Sequence, residues 1–151
     1  MMKALMAAAA VVAVSGCTSF EERMGLNIPT YVATLEPGAG ITSTGSGDGI
    51  ATLDTKTGEL GYTINYKGLS SAATMAHIHG PADVGANAGV VVPLAAPTGT
   101  QVVGKVILTE AQIAELNAGR YYVNIHTETN KGGEIRGQLK PFIMPEVRVE
   151  R

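Results

Sequence analysis

Short stretches in which apolar and polar residues alternate recur along the chain from Tyr31 onward. Tyr31-Val32-Ala33-Thr34-Leu35 is the first, and Pro37-Gly38 closes it, as expected of a half-buried strand followed by a turn. Residues 49–54 and 60–66, rich in Thr, Ile and Tyr, flank the turn Thr55-Lys56-Thr57-Gly58-Glu59 and predict a hairpin. Ala73–His79 predicts a short strand that Gly80-Pro81 breaks, and the composition of 82–89 is that of a loop. Further strands are predicted over 90–94, 102–107, 120–127 and 133–140, the last two joined by the polar turn Glu128-Thr129-Asn130-Lys131-Gly132. One helix is predicted near 109–118. Thr109 is a natural N-cap with Gln112 at capping-box spacing, Ile113 and Leu116 share a face, and Gly119 stops the run. Together these elements predict an all-β fold, an antiparallel Greek-key sandwich or barrel of about seven or eight strands with one short helix. The Gly45-Ser46-Gly47 run reads as a flexible loop, and no phosphate-cradling glycine loop is present.

The first residues break this pattern. Lys3 is followed by an apolar run from Ala4 to Val14, shorter than the roughly 17–25 residues a membrane-spanning helix needs, and the run exits through small residues as a signal peptide does. Val14-Ser15-Gly16-Cys17 resembles the bacterial lipobox, which implies thioether lipidation of Cys17. A buried free thiol is the alternative. The expected organisation is a signal peptide over 1–16, a lipidated tether over 17–29, a β domain over 30–142 and a tail over 143–151. A short amphipathic helix docked on the domain is the alternative for the tether. Thr18 stands where an inner-membrane retention Asp would be, so the expected location is the cell envelope, anchored in the outer membrane and facing the periplasm.

Composition narrows the chemistry. With 45% hydrophobic residues and a formal net charge of −2 among 151 residues, the chain is too apolar for disorder and too neutral for a nucleic-acid-binding face. The single Cys excludes an internal disulfide, and only His77, His79 and His126 offer imidazole.

Strand alternation puts His77 and His79 on one side of their strand and Ala76 and Ile78 on the other. The same rule sets Tyr122, Asn124 and His126 opposite Val123 and Ile125, and Arg136 opposite Ile135 and Leu139. If the aliphatic faces build the core, the three histidines and Arg136 share the other face. Two imidazoles at i and i+2 stand roughly 6–7 Å apart, which suits one metal ion between them. Imidazole donors are favoured by copper and zinc alike. The competing reading is that these rings hydrogen-bond carbonyls of the loop Pro81 to Gly89 and brace it. Tyr122 and Asn124 are candidates to orient His126, or ordinary strand positions. Met75, in phase with His77, is read as a packing residue, with thioether ligation as the alternative. For Arg136 a salt bridge or a hydrogen bond to the loop before it is the plain expectation, with Glu134 a candidate partner on its face. Asp83 and Asn87 are candidates to close the loop over the site, with plain loop solubility as the alternative.

Five blocks carry a family resemblance: Ala76-His77-Ile78-His79-Gly80-Pro81, Gly89-Val90-Val91-Val92, Leu108-Thr109-Glu110-Ala111-Gln112 with Leu116 and Ala118-Gly119, Tyr122-Val123-Asn124-Ile125-His126-Thr127, and Gly133-Glu134-Ile135-Arg136-Gly137-Gln138-Leu139. In order and spacing they resemble the CHRD domain, named from chordin, over about Tyr31 to Leu139. In chordin such domains belong to an extracellular binding protein. The His-x-His pair, a later strand His and an Arg before a Gly are also distantly similar to the copper site of Cu,Zn superoxide dismutases. That likeness implies copper ligation by His77, His79 and His126, with zinc as the alternative ion, and an anion-guiding catalytic role for Arg136 toward superoxide. The chain departs from that family in having no bridging His, no zinc-ligand set and no disulfide. A copper carrier without turnover and a non-catalytic envelope binding module are the alternative functions.

Overall fold

The computed structural model describes residues 28–143. The expected signal peptide, Cys17, most of the expected tether and all but the first residue of the expected tail lie outside them. Among the described residues nine strands and one helix follow in the order β1 (Thr30–Pro37), β2 (Ser46–Leu53), β3 (Glu59–Lys67), β4 (Ala73–His79), β5 (Val90–Pro93), β6 (Gln101–Ile107), α1 (Glu110–Asn117), β7 (Tyr122–Thr127), β8 (Ile135–Gln138) and β9 (Lys140–Pro141). The predicted strand over 133–140 is divided. Leu139 leaves the ladder to donate its N–H to the Tyr121 carbonyl, and the chain then pairs with β1 as β9. Pro141, with no N–H to give, is the last residue of that strand.

All strand pairs are antiparallel, in the order β5-β4-β7-β8-β1-β2-β3-β6, with β9 beside β1. β1 carries the sheet around the core. Its stretch from Thr30 to Leu35 pairs with β2, while Glu36 and Pro37 pair with β8. The sheet thus curls into a nearly closed barrel whose open seam lies between β5 and β6. The segment joining those two strands crosses the seam: Leu94 donates to the Ala76 carbonyl, and Ala95 donates to the Tyr62 hydroxyl. Closure of this kind removes exposed strand edges.

Alternation builds the interior as predicted. Tyr31, Ala33 and Leu35 of β1, Leu60, Tyr62, Ile64 and Tyr66 of β3, Ala76 and Ile78 of β4, Val123 and Ile125 of β7, and Ile135 and Leu139 are all buried in one cluster. The helix begins at the predicted capping box, with the Thr109 side chain accepting from the Gln112 N–H and the Gln112 side chain accepting from the Thr109 N–H. Leu116 carries it into the core. β7 is the exception to alternation, because all six of its residues are buried. Its core face meets the barrel interior. Its other face is covered from outside by residues 80–89 and 128–133, and that second covered layer holds the histidines.

Candidate metal centre

β4 and β7 are neighbours, with His77 opposite Asn124, His79 opposite Tyr122 and Met75 opposite His126. Cross-strand partners project from the same face, so strand register gathers the three imidazoles from positions 49 residues apart in the chain. Ring centroids are 5.7 Å apart for His77 and His79, 4.8 Å for His77 and His126, and 5.8 Å for His79 and His126. One ligand nitrogen from each ring lies within 4.8 Å of the others. Two ligands of a tetrahedral ion at 2.0–2.1 Å sit roughly 3.4 Å apart, so binding requires the rings to close by roughly an ångström.

Hydrogen bonds to backbone carbonyls decide which nitrogens are available. His79 Nδ1 donates to the Ala88 carbonyl at 2.9 Å, and His126 Nδ1 donates to the Lys131 carbonyl at 2.9 Å. A carbonyl only accepts, so each neutral ring carries its proton on Nδ1 and presents a bare Nε2. His77 Nδ1, 3.0 Å from His126 Nε2, is therefore the donor of that pair. His79 Nε2 is buried and has no hydrogen-bond partner among the described residues. Carbonyl-fixed imidazoles of this kind are the usual outer support of metal ligands. Burial, then the neighbouring His126 and His79, push the His77 pKa below the ordinary imidazole value. For His79, burial is again the largest effect and lowers the pKa; the Ala88 bond opposes it, and His126 and Arg136 add to it. Both shifts favour the neutral ring that a metal requires.

Outer contacts explain why the face is covered. His79 stacks on the Tyr122 ring, with centroids 5.2 Å apart and 17° between planes, and the Arg136 guanidinium carbon lies 3.6 Å from the same ring's centroid. Arg136 donates to Asn87 Oδ1 and to the Ala86 carbonyl, both at 2.7 Å, while the Tyr122 hydroxyl accepts from the Ala88 N–H at 3.1 Å. The loop after the His pair is thus latched over His79 by the arginine. Asn87 contributes to that closure as expected, and Asp83 contributes its carbonyl to the Ala86 N–H. Asn124 donates to the Gly132 carbonyl and steadies the turn that presents Lys131 to His126. Gly133 (φ +115°) is required there, since a Cβ would stand 2.1 Å from Asn124 Oδ1. Replacing Arg136 by Ala removes two hydrogen bonds and the stacked cation, worth about 1–2 kcal/mol together after solvent screening. Hydrogen exchange at the Ala86 and Ala88 amides is then expected to accelerate about tenfold while core amides keep their protection. Unchanged exchange at both amides would remove the latch.

Two expectations are corrected. Glu134 does not pair with Arg136. It lies just before β8, off the strand alternation, and is fully buried. It accepts from Ser43 Oγ (2.5 Å), Ser70 N (2.7 Å), Ser70 Oγ (2.6 Å), Thr127 Oγ1 (2.7 Å) and Asn130 Nδ2 (3.1 Å). Burial raises its pKa, but the hydrogen bonds from Ser43, Ser70 and Thr127 outweigh that effect and hold the carboxyl at about 2. Sequence reading missed this cluster because its donors come from segments up to 91 residues away. Met75 is not packed in the core; it is 48% exposed beside His126. The Ala88 carbonyl lies in the loop expected to brace the rings, whereas the Lys131 carbonyl lies outside that loop and was missed, since a backbone acceptor leaves no signal in residue identity.

The family model described as CHRD domain matches residues 31–139, more than two thirds of the chain. No curated protein and no solved structure gives a significant match.

Proposed function

The chain belongs to the CHRD domain family, and from that membership and the converging imidazoles we propose that it is an envelope binding module holding one metal ion through His77, His79 and His126. The observation that carries this reading is His79 Nε2, a buried nitrogen without a partner beside two further ring nitrogens. An unpaired buried acceptor costs about 1–3 kcal/mol, and coordination removes that cost. Copper is the proposed ion and zinc the alternative, because imidazole suits both and copper(II) stands above zinc in general affinity. Lipidated Cys17 holds the domain on the periplasmic face of the outer membrane, and Arg136 supplies the positive charge that draws a small anion such as superoxide toward the site. A specific observation favours one other reading, that the histidines only brace the loop: His79 donates to Ala88, as such a role requires.

Dialysis of the full chain against copper(II) or zinc(II), followed by removal of free ion, is expected to leave about one equivalent per chain, with copper displacing zinc in competition. Less than about a tenth of an equivalent of either ion would leave the bracing role alone. A superoxide assay on the copper-loaded protein then separates turnover from carriage.

A further inference from the structure

The triad has a direction. Along the outer face of β4 exposure falls from 48% at Met75, through half-buried His77, to 8% at His79. The exposed end of the triad is therefore the Met75 end. Met75 also pairs with His126 on β7, just past a register shift between Ala73 and Met75, and its unbranched side chain is long enough to lean over that neighbour. The opposite face of the same strand, carrying Ala76 and Ile78, is the one that enters the core, so packing does not account for an apolar side chain here. What Met75 brings to the mouth is a neutral, soft thioether sulfur. Thioethers select copper(I), whereas zinc(II) is satisfied by imidazole alone.

We propose that Met75 is the fourth ligand of the site, at its entry, and that it makes the centre selective for monovalent copper over zinc. This rests on the metal-binding reading of the three histidines and deepens it. When the ion binds, His77 Nδ1 gives up its hydrogen bond to His126 Nε2, the His77 proton moves to that ring's other nitrogen, and both freed nitrogens turn to the metal. The sulfur occupies the solvent side that the three rings leave open. No electron is transferred in this step.

The test is an anaerobic titration of the full chain with copper(I) against a competing chelator, and with zinc(II) separately, for the wild type and Met75→Leu. Leucine keeps the size and apolar character and removes only the sulfur. The expected result is a loss of at least about tenfold in copper(I) affinity with zinc(II) affinity held within about twofold. X-ray absorption of the copper(I) form is expected to show a sulfur neighbour in the wild type that the variant lacks. Copper(I) affinity unchanged in Met75→Leu, or parallel losses for both ions, overturns the role of Met75 while leaving the triad as a metal site. A wild-type chain that binds neither ion overturns the metal reading itself.

Discussion

His79→Ala is expected to lower metal affinity by more than about a hundredfold. Structural zinc sites of four ligands are worth roughly 10–16 kcal/mol, so one ligand carries on the order of 3 kcal/mol, and each 1.4 kcal/mol is about a factor of ten. Among the three rings His79 is the informative one to remove, because its Nε2 makes no hydrogen bond that the substitution would also break. Its Nδ1 bond to Ala88 is lost as well, so binding has to be separated from loop order. Thermal unfolding does this. At a hundredfold excess over the dissociation constant, metal stabilises a folded protein by about 2.7 kcal/mol, which for a domain of this size raises the melting temperature by roughly 10 °C. The wild type is expected to show that rise and His79→Ala to show none. An equal rise in both proteins would place the ion elsewhere in the chain.

The second large effect is on stability. Glu134→Gln is expected to destabilise the domain by about 3 kcal/mol at pH 7, the free energy of holding a carboxyl near 2 in the fold when its ordinary value is 4.5. The fully buried carboxylate is held by neutral donors alone among the described residues, and each bond to a charged acceptor is worth about 1.5–3 kcal/mol. Glutamine presents an NH₂ group toward donors that need an acceptor. Because the folded pKa lies below the unfolded one, the contribution is complete above about pH 5 and is lost as pH falls from 4.5 toward 2. Urea unfolding of both proteins between pH 2 and 7 is expected to show a gap that is widest at neutral pH and closes in acid. A gap below about 1 kcal/mol at pH 7, or one that persists unchanged at pH 2, would contradict this account. The cluster also bears on the histidines, since Thr127 precedes, and Asn130 lies within, the turn whose Lys131 carbonyl orients His126.

How much of this was legible depends on the range of the interaction involved. Alternation in Tyr31 to Leu35 and in Leu60 to Tyr66 reports which side chains enter the core, because a strand places neighbours on opposite faces wherever it packs. The Thr109 and Gln112 pair reports a helix start for an equally local reason. The same logic placed His77, His79, His126 and Arg136 on one face. It offered the loop after Pro81 as a cover but not the turn after Glu128, and it left Tyr122 and Asn124 as either supports of His126 or ordinary strand positions. Both are buried, Tyr122 stacked on His79 and Asn124 bonded to the Gly132 carbonyl. Glu134 was misjudged by extending strand parity one residue beyond the start of β8.

By itself, then, the sequence determined the all-β class, most strand positions, the helix and the short list of three imidazoles, since each follows from period, turn chemistry or residue identity over a few positions. It did not show that β2 begins at Ser46, inside the run read as a flexible loop, or that 133–140 divides into two strands. Only the tertiary structure decided that β4 and β7 lie side by side, which ring nitrogen of each histidine is free, that Arg136 latches the loop over Tyr122, and that Glu134 is buried among hydroxyls. Those outcomes depend on register and on backbone carbonyls brought together across the barrel, and neither is written in the spacing of residues along the chain.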